Sequence, residues 1–179
     1  MGGAVGVLPT DTVYGLVSRA ADERAVARLY ALKQRDHKPG TIIAANIEQL
    51  VSLGIKARYL KAVEQFWPGP VSIETPHSID YLNMSTGRQG LRIPADENLH
   101  ALLERTGALQ TTSANAPGLP VSNTVEEAQA YFGDSVDFYV DGGDLSSRPP
   151  STIIRIVDDA IEVIREGAVK IDETGKVTK

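Results

Sequence analysis

The chain contains no cysteine, which excludes disulfides, Cys-ligated zinc, iron–sulfur clusters and thiol catalysis together. Its simplest home is a reducing cytoplasm. Aromatic residues make up only 6%, which argues against a surface that tracks nucleic acid by stacking bases. Long apolar runs are also missing. Ala4 to Leu8 is stopped by Pro9 and follows no basic segment, so neither a signal peptide nor a membrane span is expected. Positive charge is not in excess either: 18 Lys and Arg against 23 Asp and Glu leave a net charge of -5. Any phosphate site must then be a local basic patch working against the overall field. There is no Gly-x-x-x-x-Gly-Lys-Ser/Thr loop and no Gly-x-Gly-x-x-Gly fingerprint, so side-chain cations would have to hold any nucleotide phosphate. The histidines, His37, His77 and His100, lie in unrelated contexts, and no His or carboxylate pair has metal-ligand spacing. A metal would arrive as Mg²⁺ on phosphate oxygens.

What is present is ordinary for one globular domain: 179 residues, 42% hydrophobic and 23% charged, enough to bury a core in two or three layers. Ala4 to Leu8 reads as a buried strand leading into a turn at Thr10, Asp11 and Thr12. Asp22 caps a helix carrying Val26, Leu29 and Tyr30 at helical spacing, and Lys33 falls next on the same stripe. Thr41 to Ala45 is a further strand, and Ile47 to Leu53 and Ala57 to Trp67 read as helices. Strands follow at Val71 to Thr75 and at Gly90 to Pro94. Asp96 caps a helix that Gly107 ends, Ala108 to Thr112 is strand-like, and Val125 to Phe132 is helical. Ser151 to Val157 and Ala160 to Ile164 form a closing hairpin about Asp158-Asp159. This rhythm predicts an α/β fold whose sheet is mixed, with antiparallel pairs near 71 to 93 and 152 to 164.

Three polar segments sit where apolar elements end: Pro9 to Leu16, Lys33-Gln34-Arg35, and Thr111 to Asn115. Lys33 and Arg35 would share a side if the helix ends there and the chain extends, making a phosphate clamp. The plainer alternative is that these cations complement the helix macrodipole. Ser113 and Asn115 obey the same spacing and could line a crevice, or could bond their own loop backbone. Thr10, Asp11 and Thr12 could cup a small polar ligand or simply build a turn. Arg92 inside an apolar strand needs an anionic partner, either a structural carboxylate or a substrate carboxylate. Arg165, after a strand, raises the same question. Ser113 lacks a nucleophile elbow and a histidine partner, so a serine hydrolase is not favoured.

In order along the chain, PTDTVYGL at 9 to 16, Lys-x-Arg at 33 to 35, WPGP at 67 to 70, LRIP at 91 to 94, the Ser-x-Asn of TTSAN, PST at 150 to 152 and REG at 165 to 167 resemble the YrdC family. These are the threonylcarbamoyl-AMP synthases of tRNA modification. The resemblance runs from Val5 to about Gly167. It implies one YrdC-like catalytic domain over 1–168, a twisted mixed sheet flanked by helices around a deep, locally positive cavity, with 169–179 as a polar edge or tail. It implies condensation of L-threonine, bicarbonate and ATP into threonylcarbamoyl-AMP and pyrophosphate, a cytoplasmic reaction with Mg²⁺ carried on the ATP. The adenylate would pass to a downstream threonylcarbamoyl transferase complex acting on tRNA. By matching positions, Lys33, Arg35, Ser113, Asn115 and Arg165 would hold ATP, with Lys33 and Arg35 as the catalytic cations. Thr10, Arg92, Ser113 and Ser151 would hold threonine.

The chain departs from the family pattern in lacking the helix that usually precedes the first strand, in Asp36 where a proline is usual, and in the absence of the longer members' C-terminal domain. Two rival readings use the same residues. One is an RNA-binding module, which the acidic charge and scarce aromatics disfavour. The other is a carbamoyl-adenylate enzyme with a different amine donor.

Overall fold

A computed structural model describes residues 3–34, 37–61, 63–157, 160–172 and 174–178. Arg35 and the Asp158-Asp159 turn therefore lie outside the described residues. The strands are β1 (Val5–Pro9), β2 (Tyr14–Arg19), β3 (Thr41–Ile43), β4 (Val71–Pro76), β5 (Arg88–Arg92), β6 (Leu109–Ser113), β7 (Phe138–Tyr139), β8 (Thr152–Val157) and β9 (Ala160–Arg165). They form one nine-stranded sheet in the order β7-β1-β2-β6-β3-β5-β4-β8-β9. Pairing is mixed: β1–β2, β4–β5 and β8–β9 are antiparallel, while β3–β5 and β4–β8 are parallel. The expected α/β class with antiparallel pairs near 71 to 93 and 152 to 164 is what the chain adopts.

The helices are α1 (Glu23–Lys33), α2 (Ile47–Ser52), α3 (Ala57–Lys61), α4 (Asp80–Asn83), α5 (Glu97–Thr106) and α6 (Val125–Phe132). Local chemistry explains their starts: Asp22, Asp96 and Thr124 each accept a hydrogen bond from the backbone N–H three residues on, satisfying an otherwise orphaned donor. The helix expected over Ala57 to Trp67 is shorter, ending at Lys61, with a 3₁₀ turn at Glu64–Phe66. The expected strand at 41 to 45 starts as expected but stops two residues earlier, and the one expected at 90 to 94 lies two residues earlier at both ends. Strands β2 and β7 and helix α4 carried no sequence expectation. Residues 169 to 179, expected as an edge or tail, contain a small antiparallel hairpin, β10 (Lys170–Ile171) with β11 (Val177–Thr178). The Asp172 carboxylate organises its turn by accepting from Thr174 N, Thr174 Oγ1 and Lys176 N, and Val169 and Ile171 pack on the β4–β8 core.

Side-chain alternation makes the two sheet faces chemically different. One face presents Tyr14, Leu16, Ile42 and Leu91 to the core that includes Val26 and Leu29 of α1, and Val71, Ile73 and Ile154 to Val63 and Phe66. On the other face, Val17, Ile43 and Leu109 pack with Leu99 and Leu103 of α5, each such buried leucine contributing about 1.5–3 kcal/mol. Farther along that second face the register aligns Gly15 with Ser113, Thr41 with Thr111, and Gly90 with Thr41. Small and hydroxylated residues replace leucine-sized ones there, and the space they leave is a cavity.

Candidate functional site

The cavity has a volume of about 260 Å³, just below the roughly 300 Å³ lower bound of typical ligand sites. It has room for a small polar molecule and is open to solvent on one side. Its described walls include Arg92 and Arg165 and no carboxylate.

One wall comes from the turn after β1. Thr10 Oγ1 donates to Val13 O at 2.6 Å and accepts from Thr12 N at 3.2 Å. Its hydrogen being used, the 3.1 Å contact between the two hydroxyls runs from Thr12 to Thr10. The expected turn is present in these atoms, and Thr10 and Thr12 line the cavity while Asp11 does not. Arg148 NH1 donates to Thr10 O at 2.8 Å, tying the turn to the 140–150 segment.

Arg92 has the anionic partner its burial demanded, and that partner is structural. Its NH2 donates to Asp11 Oδ1 at 2.9 Å, with both side chains almost fully buried. NH2 also reaches Thr12 Oγ1 at 3.4 Å, and NH1 donates to Ser72 Oγ at 3.2 Å. Burial pushes the Asp11 carboxyl above its ordinary value, and Arg92 beside it offsets this only in part. Among the described residues, Asp11 Oδ2 and Arg92 Nε find no hydrogen-bond partner. The pair holds a guanidinium at the cavity wall at a desolvation cost typical of buried ions.

Arg165 reaches the same wall through an irregularity. Along β8–β9, Glu162 pairs with Arg155 and Val163 with Ile154, but Arg165 rather than Ile164 pairs with Ile153. This bulge inserts one residue, so Arg165 shares a face with Ile153 and Ile164 is turned away. Arg165 NH2 then donates to Ser151 O at 2.7 Å and Ser151 Oγ at 3.3 Å. Gly167 closes against this point: a Cβ there would overlap Pro150 O and stand 2.5 Å from Ser151 C and O. Gly167→Ala is expected to cost about 1–3 kcal/mol, typical of overpacking. Denaturant titration should show that loss, and an unchanged midpoint would contradict the packing argument.

The third wall joins α1 to the turn after β6. Gln34, in the left-handed region at φ 44°, ends α1 just past Lys33. Lys33 is only 4% exposed and donates to Ser113 O at 2.9 Å, Asn115 O at 2.6 Å and Asn115 Oδ1 at 2.7 Å. Ser113 Oγ donates to Asn115 Oδ1 at 2.7 Å. Lys33, Ser113 and Asn115 are thus brought together as one unit. Ser113 faces the cavity, while the Lys33 ammonium supports the turn beneath it.

The Sua5/YciO/YrdC family model, described as "Telomere recombination", matches residues 1–167. The chain belongs to this family. A relative named threonylcarbamoyl-AMP synthase from Idiomarina loihiensis is 34% identical over 89% of this chain and 90% of its own length. Among solved structures, Pyrococcus abyssi Sua5 complexed with L-threonine aligns with a TM-score of 0.84 at 29% identity, covering 96% of this chain and 53% of that one. Escherichia coli YciO aligns with a TM-score of 0.78 at 26% identity, covering 92% and 84%.

In this Sua5/YciO/YrdC-family site, Thr10, Arg92, Ser113, Ser151 and Arg165 line one cavity. The sequence reading missed Thr111, whose hydroxyl faces the cavity and donates to Leu16 O at 3.3 Å, along with Asp11 as the partner of Arg92 and Ser72. Alternation from Ser113 could have found Thr111; nothing local marks Ser72. Among the described residues no cluster of His, Asp and Glu could hold a metal ion, and no helix is long and apolar enough to cross a membrane.

Proposed function

We propose that the protein condenses L-threonine, bicarbonate and ATP into threonylcarbamoyl-AMP, pyrophosphate and water, acting as a nucleotidyltransferase in the cytoplasm. The observation that carries this is the joining of Arg92, Ser151, Arg165 and Ser113 in a single cavity, in a chain of the Sua5/YciO/YrdC family. The relative's name and the threonine held by the Pyrococcus abyssi protein support the same substrate.

Threonine's amine adds to bicarbonate, or to carbon dioxide derived from it, giving a carbamate. A carbamate oxygen then attacks the α-phosphorus of ATP, and the bond to the bridging oxygen breaks to release pyrophosphate. Arg92 receives the threonine carboxylate, with Thr10 shaping that end. Ser113 and Asn115 lie toward the nucleotide, and Lys33, Arg35 and Arg165 offset triphosphate charge. Mg²⁺ arrives on the ATP phosphates as part of the substrate. Catalysis of this kind is positioning plus electrostatics, without a covalent intermediate on the protein. The labile adenylate then passes to a transferase that modifies tRNA.

Pyrophosphate release from ATP should require threonine and bicarbonate together. Release indifferent to threonine would overturn the assignment and favour another amine donor. Tight, strongly salt-dependent tRNA binding without turnover would instead favour the RNA module.

A further inference from the structure

Ser72 lies in β4 with no exposed surface, and the described cavity lining does not include it. Its hydroxyl nevertheless joins the two cationic ends of the site. It accepts from Arg92 NH1 at 3.2 Å and donates to Ser151 Oγ at 3.0 Å. Ser151 Oγ also accepts from Arg165 NH2 at 3.3 Å.

A serine hydroxyl has one hydrogen and two acceptor lone pairs. The hydrogen of Ser72 goes to Ser151, and both lone pairs of Ser151 are occupied, one by Ser72 and one by Arg165. The Ser151 hydrogen is left, and no described residue accepts it. Ser151 can therefore meet a ligand only as a donor, to a carboxylate, carbamate or phosphoryl oxygen. The opposite wall has the reverse polarity. Ser113 Oγ gives its hydrogen to Asn115 Oδ1 and Thr111 Oγ1 gives its hydrogen to Leu16 O, so both present lone pairs to the cavity. A zwitterionic amino acid fits such a site one way round, anionic end toward Arg92 and Ser151.

We propose that Ser72 is a positioning residue: from behind the wall it fixes Ser151 as an obligatory donor and steadies Arg92, setting the orientation of the bound amino acid. This rests on the threonine-dependent reaction proposed above. With alanine at position 72, one lone pair of Ser151 is freed, so that Ser151 could accept from a ligand as well as donate to it, and Arg92 NH1 would lose its acceptor.

The test measures threonine-dependent pyrophosphate release by wild type, Ser72→Ala, Ser72→Thr, Ser151→Ala and the Ser72→Ala/Ser151→Ala double variant. KM and kcat are taken separately for threonine and ATP. Ser72→Ala is expected to raise KM for threonine about tenfold, the upper end for one neutral hydrogen bond, and to leave KM for ATP within about twofold. Ser72→Thr, which keeps the hydroxyl, should restore most of the affinity. In the Ser151→Ala background the Ser72 change should add less than it does to wild type, leaving only the part that acts through Arg92, since residues acting through one another are not additive. Equal effects on both substrates, an unchanged KM for threonine, or effects that multiply in the double variant would each overturn the proposal. Should Ser72→Ala fail to fold, Ser72→Cys keeps the volume with a weak donor and must show the same rise in KM. An active wild type with an unaffected Ser72→Ala removes this inference alone, whereas a wild type without threonine-dependent release removes the functional reading beneath it.

Discussion

Arg92→Met is expected to abolish threonine-dependent turnover and to destabilise the fold, and the two losses can be separated. The guanidinium donates to Asp11, Thr12 and Ser72. Its removal leaves Asp11, whose second oxygen already lacks a partner among the described residues, as a buried acid without its cation. Breaking one side of a buried pair costs about 3–5 kcal/mol. The Asp11→Asn/Arg92→Met double variant removes both charges and should recover most of that stability. It should not recover turnover, because the group proposed to meet the substrate carboxylate is gone; truncating one member of a buried charged contact costs about 2–5 kcal/mol of binding, or roughly 30-fold to several thousand-fold. The sign of the pH response gives a second check. The Asp11 carboxyl is already raised by burial, and losing Arg92 raises it further. A carboxyl raised in the folded state contributes stability below its unfolded value that is lost as pH climbs toward the folded one. Arg92→Met should thus weaken as pH rises from the ordinary carboxylate range, while the double variant stays flat over that span. Near-normal KM for threonine in a well-folded double variant would remove Arg92 from the threonine site.

Much of this site could be read from the sequence because strand ends and unusual residue placements leave local traces. Lys33 on an apolar stripe and Arg92 inside an apolar strand each violated a pattern, and both are buried and multiply bonded. Their partners were harder to infer. Asp11 lies 81 positions from Arg92 and Ser72 lies 79 from Ser151, and no periodicity connects residues across a mixed sheet. The bulge that aims Arg165 was also hidden, since strict alternation from Glu162 places Ile164, not Arg165, on the cavity face. Strand β2 carried no expectation, although Tyr14 to Arg19 pairs on both sides in the interior of the sheet. A continuous run buried on both faces lacks the alternation that marks an exposed-face strand. The two-residue β7 is too short to leave any pattern.

Lys33→Met should lower turnover by up to about 10²–10³, the scale for removing one electrostatic group at a reacting phosphate or carbonyl, through the lost positive charge rather than a lost N–H donor, and should loosen the turn that carries Ser113. Methionine keeps most of the stem packed in the last turn of α1 but removes the donor to Ser113 O, Asn115 O and Asn115 Oδ1. The two main-chain oxygens are held by a charge-assisted bond of about 1.5–3 kcal/mol each at most, so the turn loses its principal anchor to the helix. Ala114 N donates to Tyr14 O and Ser122 N to Ala114 O, and these amides should exchange with solvent faster in the variant. Amides of α5, on the far side of the sheet, should not change. Lys33→Arg is not a rescue: a planar guanidinium cannot gather three oxygens of one tight turn around a single nitrogen. If the ammonium both supports the turn and meets the triphosphate, KM for ATP rises and exchange at Ala114 and Ser122 quickens together. Faster exchange with unaltered ATP kinetics would restrict Lys33 to the turn, and unaltered exchange with a raised KM for ATP would mean that the contacts to Ser113 and Asn115 do not hold the turn in place.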